Sequence, residues 1–129
     1  MRLTNNFWLS EFNCKDGTII PDNLIENVQL LAEQLQVLRD VIGEPIHINS
    51  AYRHGAYNQS IGGSKNSQHI LAKAADIVVG EGFTPKLIVG TIEGLIASGE
   101  MLEGGLGLYD NFVHYDIRGT RARWNFSTK

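Results

Sequence analysis

Ser67-Gln68-His69-Ile70-Leu71-Ala72-Lys73-Ala74-Ala75-Asp76-Ile77-Val78-Val79 is the stretch on which the reading of this chain turns. It closes a long polar segment with an imidazole and then runs into an apolar strand interrupted by one carboxylate. The run Ala74–Val79 is short, apolar and rich in β-branched residues, which reads as a buried strand. Asp76, set between Ala75 and Ile77, is costly to bury there unless it is ion-paired or bound to a cation. A second imidazole, His114, stands in an aromatic strand, Phe112-Val113-His114-Tyr115-Asp116. Two imidazoles and one carboxylate make an open three-ligand zinc site, with the fourth position left to water and no cysteine needed. A lone histidine is more often structural than ligating. The embedded aspartate is what lifts this set above that default.

The surroundings of that stretch set the fold. Upstream, Pro45 to Ser50 alternates, with Ile46 and Ile48 facing one way and His47 and Asn49 the other. Residues 51–68, rich in Gly, Ser and Asn, read as a long loop, functional or carrying a short helix. Pro21-Asp22-Asn23 opens a helix in which Leu24, Val28, Leu31, Leu35, Leu38 and Ile42 recur at three and four, and Gly43 ends it. Pro85 to Ile96 is a second helix. Gly104–Leu108 and Phe112–Ile117 read as strands joined at a Tyr109-Asp110-Asn111 turn. Residues 1–20 form an N-terminal extension packed on the rest through Phe7, Trp8, Leu9 and Phe12. The expected fold is α+β: one domain over residues 1–129, a small antiparallel sheet flanked by two helices, and a metal cleft on the sheet.

Composition narrows the function classes. The 129 residues are 43% hydrophobic and 19% charged, enough for one core and inconsistent with disorder. A net charge of −3 argues against a general phosphate-binding surface, so no nucleic-acid partner is expected. A single cysteine, Cys14, excludes an internal disulfide framework and reads as an ordinary semi-buried residue. No apolar run approaches the roughly 18 residues of a membrane span, so no membrane insertion is expected. Met1 to Trp8 lacks the long apolar segment of a signal peptide, and the chain is expected to be a monomer carrying no export address. Gly62-Gly63 and Gly104-Gly105 are turn glycines without the strand–loop–helix context of a phosphate loop. His47 and His54 read as strand-face and surface-loop residues. Arg118, Arg121, Arg123 and Trp124 read as a basic, aromatic tail on a solvated surface.

Ser50-Ala-Tyr-Arg53, Tyr57-Asn58, Gly62-Gly63, Ser67-Gln-His69 and Ala74-Ala75-Asp76 fall in an order that resembles the M15 zinc peptidases. These include D-alanyl-D-alanine carboxypeptidases and related phage cell-wall endolysins. Gly105-Leu-Gly107-Leu-Tyr109 and Phe112-Val-His114-Tyr-Asp116-Ile-Arg118-Gly119 resemble the C-terminal motif of the family's short members, so the likeness spans roughly residues 45 to 124. It implies a Hedgehog/D-Ala-D-Ala peptidase-like fold and one zinc ion per chain, held by His69, Asp76 and His114. It also implies that Arg53 binds a substrate carboxylate, which a planar guanidinium grips through two hydrogen bonds. Ser67, Tyr57 and Asn58 are expected around the substrate, or else holding the loop by side-chain-to-backbone bonds. Many members carry glycine where this chain has Ala72.

The catalytic base is read from position. Asp116 lies two residues beyond His114 and so on the same face of the strand, which suits a base or a partner of the ligand histidine. Asp110 is the alternative. Several relatives place a glutamate three residues before the late histidine; here that position is Asn111, an amide that cannot act as a base. The expected function is zinc-dependent hydrolysis of peptidoglycan stem peptides, with Asp116 and Arg53 in the catalytic roles. A grip on a terminal D-Ala carboxylate would make a carboxypeptidase, and a grip on an internal D-Glu carboxylate an endopeptidase. The setting expected is a phage product held in the host cytoplasm or virion and acting on the wall after release. A bacterial enzyme recycling wall fragments stays open, and a non-catalytic virion or wall-binding module is the alternative of another class.

Overall fold

The computed structural model describes residues 1–128. Helix α1 covers Ile25–Ile42 and is entered through a 3-10 turn at Asp22–Leu24. It buries Val28, Leu31, Ala32, Leu35 and Leu38, and it ends at Gly43, whose φ of 70° is the left-handed conformation that closes helices. Four strands appear in the expected order, β1 (Ile46–Ser50), β2 (Ala74–Val79), β3 (Gly105–Leu108) and β4 (Val113–Asp116), and a fifth, β5 (Ala122–Asn125), follows them. A short helix α2 (Gly55–Ser60) lies inside the polar segment, and α3 spans Pro85–Ala97 with Thr84 capping its first turn.

The strands form one sheet in the order β1-β2-β4-β3-β5. The first three pairings, β1–β2, β2–β4 and β3–β4, are antiparallel. β5 lies where the sequence predicts a solvated tail, yet it pairs with β3 in parallel, so the sheet is mixed rather than wholly antiparallel. Geometry explains the exception. β4 delivers the chain beside the start of β3, where Leu106 pairs with Tyr115, and the short connection through Gly119 can only turn it alongside β3 in the same direction.

Alternation along the strands sorts the two faces of the sheet. Ala75, Ile77, Leu106, Val113 and Tyr115 join a buried core with α1 and with Ile88, Ile92 and Leu95 of α3. Asp76, His114 and Asp116 point to the other face, where β3 offers only Gly105 and Gly107. The N-terminal segment adds Leu3, Phe7, Phe12, Cys14 and Ile20 to the core. Trp8, expected in that cluster, is instead half-exposed against Arg2. Among the described residues no helix is long and apolar enough to cross a membrane.

One backbone position bears directly on the site. After His69 the chain closes a turn in which Lys73 N–H donates to Gln68 O and Ala72 N–H donates to His69 O, both at 3.1 Å. That is the Schellman pairing, which places its penultimate residue in the left-handed region and favours glycine there. Ala72 occupies it with φ 57° and is the one non-glycine residue of positive φ among those described. A left-handed L-residue costs about 1–2 kcal/mol. Against this, glycine costs about 0.5–1 kcal/mol in backbone entropy, and losing a buried methyl about 0.8 kcal/mol. Ala72→Gly should therefore leave stability within about 1 kcal/mol of wild type in a chemical denaturation series, since the opposing effects nearly cancel. Ala75→Gly in β2 relieves no strain and should cost clearly more; equal losses at the two positions would refute strain at Ala72.

Candidate metal centre

β2 and β4 pair so that Asp76 lies directly opposite His114. The same alternation carries Asp116 to the site face. β1 ends in a register irregularity that sets Ser50 opposite Asp76, and the chain leaves the strand there towards Arg53. Two bonds stitch this exit to the turn that carries His69: Arg53 N–H donates to His69 O at 3.1 Å, and His69 Nδ1 meets Ala51 O at 2.6 Å. Ser67 Oγ accepts from the His69 amide at 3.1 Å and fixes the turn from within.

The three side chains converge. Asp76 Oδ1 lies 3.3 Å from His69 Nε2 and 3.1 Å from His114 Nδ1. The far nitrogen of each ring is already engaged, His69 Nδ1 by Ala51 O and His114 Nε2 by Asp116 Oδ2 at 2.7 Å. If those nitrogens carry the ring protons, the near ones are lone pairs aimed at a carboxylate oxygen. Three acceptors so placed need protons or a shared cation between them. A tetrahedral zinc ion, with bonds of about 2.0–2.2 Å, sets its ligands about 3.3 Å apart. Both separations from Asp76 Oδ1 match that edge and the three ligand atoms lie within 4.8 Å of one another, so the donor set fits zinc through His69 Nε2, Asp76 Oδ1 and His114 Nδ1.

Partners behind these groups hold them in place. Asp76 Oδ2 accepts from Arg53 Nη2 at 3.2 Å. Burial alone would raise the Asp76 carboxyl, but hydrogen bonds to His114 and His69 outweigh it and hold the group well below the usual carboxylate range. Asp116 has no exposed surface. Its oxygens take the His114 ring, the Gly105 amide at 2.8 Å, and the Arg118 guanidinium at 2.9 and 2.7 Å. Burial pushes Asp116 up and these bonds pull it well below its ordinary value. Burial would lower His114, and its two carboxylate neighbours raise it instead.

The set lies in a cleft of about 740 Å³. One wall is Ile61 to Gln68 without Lys65; the other is Tyr109, Phe112, Trp124 and Phe126. Arg53 and Ser67 line the cleft. Tyr57 and Asn58 do not. Asn58 is buried, accepting from Arg53 Nη1 at 3.3 Å and donating to Ser64 O at 2.8 Å, which is the loop-holding role of the two considered for it. Asp110, the alternative base, accepts from Ser127 and Thr128 away from the lining. Asn111 is likewise outside it.

Sequence reasoning missed the contribution of the tail. Trp124 of β5 packs 4.9 Å from the His114 ring and donates to Tyr109 Oη at 3.0 Å. Arg118 grips Asp116, and Arg123 is bound to Glu93 and Glu103. Neither Arg118 nor Arg123 is an idle surface cation. The signal available was the alternation Ala122-Arg123-Trp124-Asn125, too short to separate from loop.

Residues 4–116 match the family model described as Peptidase M15. The chain belongs to the peptidase M15 family. The matched span holds all three converging side chains and Asp116. A search of the curated proteins finds no match. M15 members are zinc peptidases, and His69, Asp76 and His114 are this peptidase's candidate metal-binding groups.

The geometry makes Asp116 testable as a partner of His114. Removing the carboxylate behind a metal-bound histidine typically weakens metal binding or activity about 10–100-fold. Asp116→Asn should lower zinc affinity by that order, measured by competition with a chelator. Unchanged affinity with turnover lost by about a hundredfold or more would instead make Asp116 a general base.

Proposed function

We propose that this M15 peptidase is a zinc enzyme that hydrolyses the stem peptides of peptidoglycan. The observation that carries the reading is the convergence of His69 Nε2, Asp76 Oδ1 and His114 Nδ1 on the floor of an open cleft. A zinc ion held there supplies a Lewis acid for the scissile carbonyl and a water acidic enough to attack near neutral pH. The protein's own groups then have separable tasks. Asp116 Oδ2 keeps the His114 ring proton on Nε2, so that Nδ1 presents its lone pair to the cleft. Asp116 has no exposed surface, which supports the positioning role over the direct proton shuttle.

Arg53 supports the choice of substrate. Three of its five N–H groups are used, on Ser50 Oγ, Asn58 Oδ1 and Asp76 Oδ2. Two remain at the edge of the cleft for a carboxylate of the peptide. Ser64, Asn66, Ser67 and Gln68 provide polar partners on one wall, and the aromatic wall takes apolar parts of the substrate. A phage setting, with the protein acting on the wall after release, goes with this reading and rests on the resemblance alone.

Digestion of purified muropeptides, followed by mass spectrometry, tests the function. Loss of one terminal alanine identifies a carboxypeptidase, and a break between L-Ala and D-Glu an endopeptidase. Zinc-loaded protein that leaves every fragment intact would sink the catalytic reading in favour of a wall-binding module.

A second test isolates Arg53. Wild type should cleave a peptide bearing the free target carboxylate about 10–100-fold faster, in kcat/KM, than its amidated counterpart, the range of one charge-assisted hydrogen bond. Arg53→Ala should scarcely distinguish the two. A variant that keeps the full preference would move the contact to another cation.

A further inference from the structure

A second group of metal-ligating side chains lies apart from the cleft. Cys14, Asp16 and His54 each offer one ligand atom, and the three atoms lie within 4.8 Å of one another. We propose that Cys14, Asp16 and His54 form a second divalent-metal site, for zinc or a similar transition metal, that clamps the N-terminal segment to the loop carrying Arg53.

The local chain builds the two near ligands. Residues 14–18 form a tight turn in which Cys14 N–H donates to Thr18 O at 3.0 Å and Gly17 N–H donates to Cys14 O at 2.9 Å. Gly17 takes a φ of 96°, which the turn requires and glycine permits. This turn holds Cys14 and Asp16 on one side, with the Thr18 amide fixing Asp16 Oδ1 at 2.9 Å. The third ligand comes from a distant part of the chain: His54 Nε2 lies 2.5 Å from Asp16 Oδ2. Cys14 is almost fully buried, and Asp16 and His54 are about a third exposed, so the group has an apolar floor and an open mouth.

The charge and donor chemistry suit a divalent ion. Without metal, the Asp16 carboxylate faces the imidazole and the thiol; the His54 bond most of all, then the Thr18 amide and Cys14, hold it well below its usual range. A dication takes the place of those donors. The thiol proton is released to solvent, and the imidazole proton moves from Nε2 to Nδ1. Thiolate, carboxylate and neutral imidazole then balance the charge of a dication, with water free to complete four-coordination. The one bond given up is the Tyr57 amide to His54 Nδ1, which at 3.4 Å is already long. A thiolate with an imidazole selects zinc, cobalt or nickel over magnesium or calcium.

The position gives the site a consequence. His54 follows Arg53 directly, and Arg53 reaches Asp76 Oδ2. Metal binding at Cys14, Asp16 and His54 would tie the start of the chain to the segment that aims Arg53 at the cleft.

Metal content of the full chain tests this separately from the peptidase reading. Stripped protein is reloaded with zinc or cobalt, desalted, and assayed for metal per chain. Wild type should carry two equivalents, and Cys14→Ser, His54→Ala and His69→Ala one each. Cobalt should give a thiolate charge-transfer band in the near ultraviolet in wild type and His69→Ala, absent from Cys14→Ser. His54→Ala keeps the buried thiol and serves should Cys14→Ser fail to fold. A single equivalent in wild type that His69→Ala removes would overturn the second site, as would a second equivalent that survives both Cys14→Ser and His54→Ala.

Discussion

The arrangement depends on one buried carboxylate. Asp76 sits in β2 with both strand neighbours apolar, where an unpaired charge would cost several kcal/mol. Its two oxygens divide the surroundings between them: Oδ1 faces the two imidazoles and Oδ2 faces Arg53. Each of those partners is fixed by a different element. His114 comes from the paired strand β4, His69 from the Schellman turn before β2, and Arg53 from the exit of β1. Satisfying Asp76 thus requires the sheet register, the turn and the loop to be correct together. A slip of one residue between β2 and β4 would turn Asp76 or His114 into the core and leave the charge unpaired.

Space on the site face is made by what β3 lacks. A Cβ at Gly105 would meet Asp116 Oδ2, and one at Gly107 would meet the Trp124 indole, both at contacts no real side chain makes. Gly105 thereby lets Asp116 take its own backbone amide and the Arg118 fork together. Gly107 lets β5 bring Trp124 against the His114 side of the sheet, its indole tilted 48° to the imidazole. These glycines serve close approach rather than unusual backbone angles.

Much of this was legible in the sequence. The periodicity of α1, the alternation of β1 and the apolar run of β2 each carry a signal longer than its noise; β1 and β2 appear within a residue of their expected bounds, and α1 ends as expected but starts at Ile25, after a 3-10 turn over Asp22–Leu24. Asp76 was readable because a charge in an apolar strand demands a partner. β5 was not: four residues, two of them arginine or asparagine, hold no period to detect, and their pairing is decided by where β4 ends. The buried state of Asp116 was also beyond reach, because strand alternation gives a face but not how tightly that face is covered. Arg118 and Gly105 cover it, and both are brought there by tertiary contacts.

The charge balance of the cleft links these details to the kind of substrate it can hold. Asp76 and Asp116 are matched by Arg53 and Arg118, so the four fixed charges cancel. The remaining cleft lining carries hydroxyls, amides and aromatic rings, with no further carboxylate. With two neutral imidazoles, a divalent ion bound as proposed would leave the cleft with about two positive charges, although the chain as a whole is −3. That local excess sits in a recess walled by Tyr109, Phe112 and Trp124, where low-dielectric surfaces weaken screening and concentrate the field. A peptide bearing carboxylates is drawn to such a recess, and a cationic one is turned away. The overall negative charge then works with the cleft instead of against it, since it leaves the ion and Arg53 as the strongest attraction an anionic peptide meets.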